Sequence, residues 1–271
     1  MKIELSVIIV NHNGLKYLKN CLDSLYENLQ NTTFEIIVID NNSNDKSCSY
    51  IKENYPNVIL IESKENLGFG KGNNLGVKNA KGKIILLLNN DTVLLDSIAP
   101  AIEILTKNEN IGILTVKMLD GNKKYIPSVG KFPSPLKMLK FSFLNEKRLE
   151  FISGKFDSNK IYNVDWVSGA FMLIRKKDYD AVRGFDPDYF MYVEDVDLCK
   201  RMTDIGKECV FIPSLRYIHF VGFNKTREIF LIKGYQIYVN KHFFGFSRAI
   251  ANGMLAINKA IKKMKKRHNE S

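Results

Sequence analysis

The chain has 271 residues, 45% of them hydrophobic and 25% charged, and a net charge of +11. That length suits one large α/β domain with an appendage better than two equal domains, and the apolar content supplies a full core. No apolar run approaches the roughly 20 residues that span a bilayer, and the start, Met1–Asn11, has no signal-peptide pattern, so spanning and secreted classes are excluded and a cytoplasmic location is expected.

Four cysteines, Cys21, Cys48, Cys199 and Cys209, form neither a CxxC pair nor a zinc spacing. They read as small apolar residues of a reducing compartment. Residues 5–10 form a β-branched apolar run, and 15–29 follow helical spacing with Leu18, Leu22 and Leu25 on one face. Strands are expected over 34–39, 58–61, 83–88 and 111–118, with helices over 72–80 and 96–107. Strands alternating with helices imply a mostly parallel sheet with right-handed crossovers. Residues 119–163 are rich in Gly, Pro, Ser, Asn and Lys and show no clear sheet strand. Beyond them, 164–174 reads as a buried strand, 194–205 as a helix, 208–212 as a short strand, and 226–244 and 246–268 as two helices split near Gly245. The expected division is a catalytic domain over 1–222, with halves 1–118 and 119–222, and C-terminal helices over 223–271.

Each early strand runs into a polar or Gly-rich cluster: Asn11-His12-Asn13-Gly14, Asp40-Asn41-Asn42-Ser43, Asn66-Leu67-Gly68-Phe69-Gly70 and Asn89-Asn90-Asp91. Turn chemistry alone explains any one of them. Four in succession place polar groups on the carboxyl edge of a parallel sheet, where ligands bind. Asp40 and Asp91 follow apolar strands directly, so each must be paired, hydrogen-bonded or metal-bound. The run Gly68–Asn74 lets backbone approach a ligand and opens a helix whose N-terminus favours anions, but it lacks the GK[ST] of a phosphate loop. Asn89 and Asp91, two apart on a strand-like segment, point the same way and suit Mg²⁺ or Mn²⁺ bridging two phosphates.

The second half carries Glu194-Asp195-Val196-Asp197 at an expected helix start, after the aromatic segment Phe185–Tyr192. Capping and dipole complementarity account for one or two of these carboxylates. Aromatic faces beside acids also suit a sugar wall, with one carboxylate as general base toward a hydroxyl. Trp166 is either core or a ligand platform, with Ser168, Gly169 and Ala170 leaving room beside it. His219 is either structural or a metal or phosphate ligand.

Taken in order, residues 6–14, 38–43, 66–74, 87–92, 166–171, 184–186 and 194–198 resemble family 2 glycosyltransferases of the GT-A fold, especially the bacterial rhamnosyltransferase branch. The resemblance covers about residues 3–222. It implies a GT-A domain (a Rossmann-like, mostly parallel central sheet flanked by helices) with a C-terminal helical extension. It also implies inverting transfer of one sugar from a nucleotide diphosphate, dTDP-rhamnose or a UDP-hexose, to a hydroxyl of a glycan or lipid-linked acceptor of surface polysaccharide synthesis. Asp195 matches the general base. Asp91 with Asn89 matches the metal-binding D-x-D, and His219 matches a position that meets metal or phosphate. Asp40 matches the nucleoside carboxylate. Asn11, Asn66, Gly68 and Asn90 lie in donor loops, and Arg201, one helical turn beyond Asp197, is placed to reach the diphosphate. Trp166, Ser168, Gly169 and Glu194 fall to the acceptor side. Two departures stand out: Asn-Asn-Asp replaces D-x-D, and Arg183 replaces the first of two glycines before Phe185-Asp186.

The tail from Phe246 carries Arg248, Lys259, Lys262, Lys263, Lys265, Lys266 and Arg267 against Glu270, a net +6. Ile250, Met254, Ile257, Ile261 and Met264 follow a helical stripe. The helix either packs on its own domain with a solvated basic face or lies at an anionic membrane's inner face. The apolar residues of 135–151 suit a second contact or an acceptor lid. Two other functions share features of this chain. A sugar nucleotidyltransferase would want a Gly-rich, basic loop after the first strand, which Asn11–Gly14 is not. A non-catalytic sugar-nucleotide or surface-binding module would not need both Asp91 and Asp195. No nucleic-acid motif accompanies the basic patch.

Overall fold

A computed structural model describes residues 3–220 and 227–270, with side chains through residue 264. The expected boundary between 222 and 223 lies outside the described residues, as do the side chains of Lys265, Lys266 and Arg267. The first half alternates as its apolar runs dictate: β1 (Leu5–Asn11), α1 (Leu15–Asn28), β2 (Phe34–Asp40), α2 (Ser47–Asn54), β3 (Ile59–Glu62), α3 (Gly68–Asn79), β4 (Ile84–Asn89), β5 (Thr92–Leu94), α4 (Ala99–Lys107) and β6 (Ile111–Leu119). The second half holds β7 (Val129–Gly130), 3-10 turns at Leu136–Leu139 and Phe141–Leu144, α5 (Leu149–Ser153), β8 (Tyr162–Val164), β9 (Trp166–Val167), β10 (Phe171–Arg175), α6 (Lys176–Ala181), α7 (Glu194–Asp204), β11 (Glu208–His219), α8 (Arg227–His242) and α9 (Gly245–Glu270).

The main sheet runs β3-β2-β1-β4-β10-β6-β11-β5, with β8 added beside β11. β1 pairs in parallel with both β2 and β4, and β6 with β11, so the sheet is mostly parallel. β10 enters antiparallel between β4 and β6. This is the GT-A arrangement: a central sheet between helical layers. Alternation along β1 divides the core. Leu5, Val7 and Ile9 face α1 and α4 through Leu18, Leu22, Leu25, Ala101 and Leu105. Ile8 faces the other side with Val77, Tyr179 and Phe185. A third cluster joins α8 and α9 to Met138, Leu144 and Val196.

Three departures from the sequence reading have physical causes. The strand expected over 164–174 breaks at Ser168–Ala170. There the Ser168 N–H donates to the Ser128 carbonyl at 2.7 Å and the Gly169 N–H to Asp195 Oδ2 at 3.0 Å, so neither serves the sheet. The strand expected to end at Ile212 continues to His219, because the pairing register shifts between Ile212 and Arg216 and sets Pro213 in an irregularity. The apolar residues of 135–151 divide: Met138, Leu144 and Phe151 are core, whereas Leu136, Phe143 and Leu149 are exposed. The three buried cysteines and the partly exposed Cys48 are all free thiols.

Candidate active site

The four polar clusters meet along one sheet edge. Register brings β1 and β2 out together, pairing Asn11 with Asp40. The Asn11 amide donates to Asp40 Oδ1 at 3.0 Å and to Ser43 Oγ at 3.2 Å, and its carbonyl accepts from Asn90 Nδ2 at 2.7 Å. Asp40 also accepts from the Ser43 N–H. Asn41 Nδ2 donates to Asn66 Oδ1 at 3.3 Å and to the Gly68 carbonyl at 2.9 Å. Asn66 in turn accepts from the Gly68 N–H at 3.0 Å. Gly68 sits at φ +78°, packed on the Phe190 carbonyl, so glycine alone fits there. The next N–H, of Phe69, donates to that same carbonyl at 3.0 Å. This bond ties the Asn66–Gly68 loop to the acidic segment of the second half.

Beside this network lies a cavity of about 410 Å³. Asn89, Asp91, Trp166, Ser168, Gly169, Glu194, Asp195 and His219 all line it. Asn11, Asp40, Asn66, Gly68 and Asn90 do not; they form its flank. Asn89 and Asp91 face the cavity while Asn90 turns back to Asn11, which is the alternation their spacing implies. β5 pairs antiparallel with β11 in a register that sets His219 opposite Thr92, next to Asp91. His219 Nε2 therefore lies 3.0 Å from Asp91 Oδ1 and 3.2 Å from Asn89 Nδ2. A carboxylate, an imidazole and a side-chain amide, here turned with its nitrogen to the imidazole, are the donor types that suit a hard or borderline divalent cation whose remaining ligands come from a diphosphate. Among the described residues no cluster of three or more His, Cys, Asp or Glu forms a complete protein cage.

Opposite stands α7. Tyr192 and Val193 enter it at φ +68° and +75°. Left-handed backbone is costly for a β-branched residue and persists where packing imposes it. Here α8 presses in at Gly234, whose missing Cβ makes space for the Tyr192 carbonyl and Val193. Asp195 accepts from the N–H groups of Gly169 and Val196 at 3.0 and 2.9 Å. Burial raises its pKa against those two donors. Glu194 is buried, and desolvation, reinforced by the Asp195 charge, raises its pKa as well. Three buried polar atoms on this cavity, Glu194 Oε2, His219 Nδ1 and Ser128 Oγ, have no hydrogen-bond partner among the described residues. Such atoms are costly unless a ligand or water completes them.

Trp166 is half-buried: its ring packs against Gly130 and lines the cavity, while Nε1 donates to the Lys131 carbonyl. Arg201 requires a correction. Its Nε donates to Asp197 at 2.7 Å, and Nη1 donates to the Val182 and Gly184 carbonyls at 2.5 and 2.8 Å. It lies away from the cavity as the partner of a buried acid that also holds His242 at 2.7 Å. Its helical spacing from Asp197 forms an i,i+4 pair, not a reach toward phosphate. Ser128, Arg227 and Tyr235 line the cavity although no motif marked them. Chain separation hid them, since β7 and α8 arrive by long-range packing.

Solved structures share this architecture. GalNAc-T7 with UDP, GalNAc and Mn²⁺ superposes with a TM-score of 0.69 at 18% identity over 88% of this chain, which spans 48% of that structure's length. The mannosyltransferase PcManGT of Pyrobaculum calidifontis with GDP-Man and Mn²⁺ gives 0.62 at 16% identity, over 95% of this chain and 69% of that one. In sequence, the rhamnosyltransferase WbbL of Escherichia coli is 30% identical over 79% of this chain and 82% of its own. An N-acetylglucosaminyl-diphospho-decaprenol L-rhamnosyltransferase of Mycobacterium tuberculosis is 25% identical over 83% and 78%. The family model "Glycosyl transferase family 2" matches residues 6–183, across the network around Asn11 and about half of the cavity wall, with Asp195 and His219 beyond the match, and this chain belongs to that family.

Proposed function

We propose that this glycosyltransferase transfers a single sugar, L-rhamnose from dTDP-rhamnose or a hexose from its UDP ester, to a hydroxyl of a glycan or lipid-linked acceptor of surface polysaccharide synthesis, with inversion. The observation that carries the reading is the placement of Asp195 across one cavity from the Asn89, Asp91 and His219 group. Asp195 takes the proton of the acceptor hydroxyl as its oxygen bonds to the anomeric carbon. The bond from that carbon to the diphosphate oxygen breaks on the opposite face, and its electron pair leaves with the nucleotide. The N–H groups of Gly169 and Val196 hold the carboxylate in place. Asp91, Asn89 and His219 would hold Mg²⁺ or Mn²⁺, which when bound neutralises charge on the departing diphosphate. The Asn11, Asp40, Asn66, Gly68 and Asn90 edge would take the nucleoside, and Trp166, Ser168, Gly169 and Glu194 the acceptor. The rhamnosyltransferase relatives support the donor sugar, and the decaprenol-linked substrate in one relative's name supports a lipid-linked acceptor. A domain limit near 222, with the helices of 223–271 as an extension, is part of the same proposal.

The test is thermal stabilisation by nucleotide diphosphates and their sugars, with Mn²⁺ or Mg²⁺ and then with chelator. A ligand at 100 times its Kd adds about 2.7 kcal/mol of stability. Stabilisation by dTDP or UDP that needs metal and vanishes in Asp91→Ala is the expected result. Full activity of the wild type in chelator sinks the metal site, and no nucleotide response sinks the donor site.

A further inference from the structure

α9 shows two faces with different fates. Ala251, Leu255 and Asn258 are buried, and the Asn258 amide donates to the Met138 carbonyl at 2.9 Å. Gln236 donates to Asn252 at 2.8 Å, and Glu228 pairs with Lys262 at 2.9 Å, fixing α9 antiparallel along α8. The apolar stripe is another face, roughly a third of a turn round the helix by the 3.6-residue period. On it Phe246, Ile257, Ile261 and Met264 are 81, 46, 38 and 62% exposed. Phe244, at the corner before α9, is 69% exposed. Packing on the domain therefore half-buries Ile250 and Met254 and leaves the rest of this stripe uncovered. The same helix carries Lys259 and Lys263 in solvent, and its sequence continues through Lys265, Lys266 and Arg267.

We propose that this uncovered stripe of α9 docks the enzyme on an anionic lipid bilayer. Charge complementarity selects that occupant. A surface rich in acidic headgroups draws Lys259 and Lys263, which by the 3.6-residue period stand on the far side of the helix from the stripe, about one helix diameter and hence about one Debye length from the bilayer. The apolar side chains enter the headgroup–acyl boundary, and an uncharged protein partner would not need the basic face that the same helix carries. Among the described residues no helix is long and apolar enough to cross a membrane, so the attachment is reversible and in-plane. Leu231 and Tyr235 of α8 line the catalytic cavity while α9 packs along α8, so the docked bilayer is separated from the cavity wall by this helix pair. The inference concerns binding and does not depend on which sugar is moved.

The test is sedimentation of the full chain with vesicles of phosphatidylcholine alone or with phosphatidylglycerol. Tight binding is expected only with the anionic lipid. Ile257→Ser with Ile261→Ser, and separately Lys259→Glu with Lys263→Glu, should each weaken it by about tenfold or more, given the per-residue contributions of buried apolar and basic groups. All four positions are exposed or partly so, and an unchanged melting curve establishes that the variants fold. As a second probe, Ile261→Trp should be quenched by brominated anionic lipid. Equal binding to both vesicle types, no effect of either double substitution, or a change of the isoleucine variant in oligomeric state instead of vesicle binding overturns the proposal. Loss of nucleotide response with vesicle binding intact strikes the proposed function alone.

Discussion

The flank around Asn11 and the cavity around Asp195 share one sheet edge but solve opposite problems. In the flank, Asn11 bonds Asp40, Ser43 and Asn90, Asn41 bonds Asn66, and Asn41 Oδ1 is the one buried polar atom of these residues without a partner. In the cavity, acids are desolvated side by side and Glu194 Oε2, His219 Nδ1 and Ser128 Oγ lack partners. A largely saturated network contributes stability and arrives preformed. An unsaturated one costs stability and is completed by what it binds. Substitutions in the two regions should therefore fail in different currencies, one in folding and one in turnover.

The largest expected effect is at Asp195. Asp195→Asn should lower transfer by about 10²–10⁴-fold, the range for a lost general base, with donor binding and melting temperature near wild type. Parallel loss of donor binding and transfer would show it to be structural and erase the contrast. Next, Asn11→Ala leaves Asp40 and Asn90 without their shared partner and should cost about 1–3 kcal/mol in denaturant unfolding. No stability change there would mean the network is decoration. The effect at Glu194 is a pH dependence and emerges only as pH rises. Its folded pKa is raised to about 8, so the folded chain holds a proton that the unfolded chain releases. That group's stabilising contribution is present at acid pH and is lost as pH rises from the unfolded value, about 4.3, toward the folded one. Glu194→Gln should thus match wild type near the acid end and melt above it near the alkaline end. Melting curves that stay parallel across the range would contradict the burial argument.

How much of this was readable follows from how local each feature is. A polar cluster at a strand's end is a local property, so the four clusters announced their common edge. The pairing of Asn89 and Asp91 was equally local. His219 beside Asp91 depends on β5, three residues long and paired only in register with the far end of β11, so sequence spacing left its role open. Arg201 misled because helical spacing shows that it follows Asp197 without saying that Asp197 is buried and claims it. Ser128, Arg227 and Tyr235 come from segments whose sequence shows only a loop and a helix. In α9 the stripe was visible, but the face that packs includes the polar Asn258, which no hydrophobicity pattern selects.

The antiparallel β10 has one further consequence. Because it runs against its neighbours, its entry rather than its exit lies on the ligand edge, so Ser168–Ala170 meets Asp195 from the second half of the chain. Everything between β6 and β8 is then a detour that leaves the sheet and returns to it. Its residues 126–128 line the same cavity as Asp195, so changes there alter the cavity without touching a strand of the main sheet. For protein engineering, the cavity-lining Ile126, Pro127 and Ser128 of this detour are the positions to exchange first, while the buried Met138, Leu144 and Phe151 stay fixed.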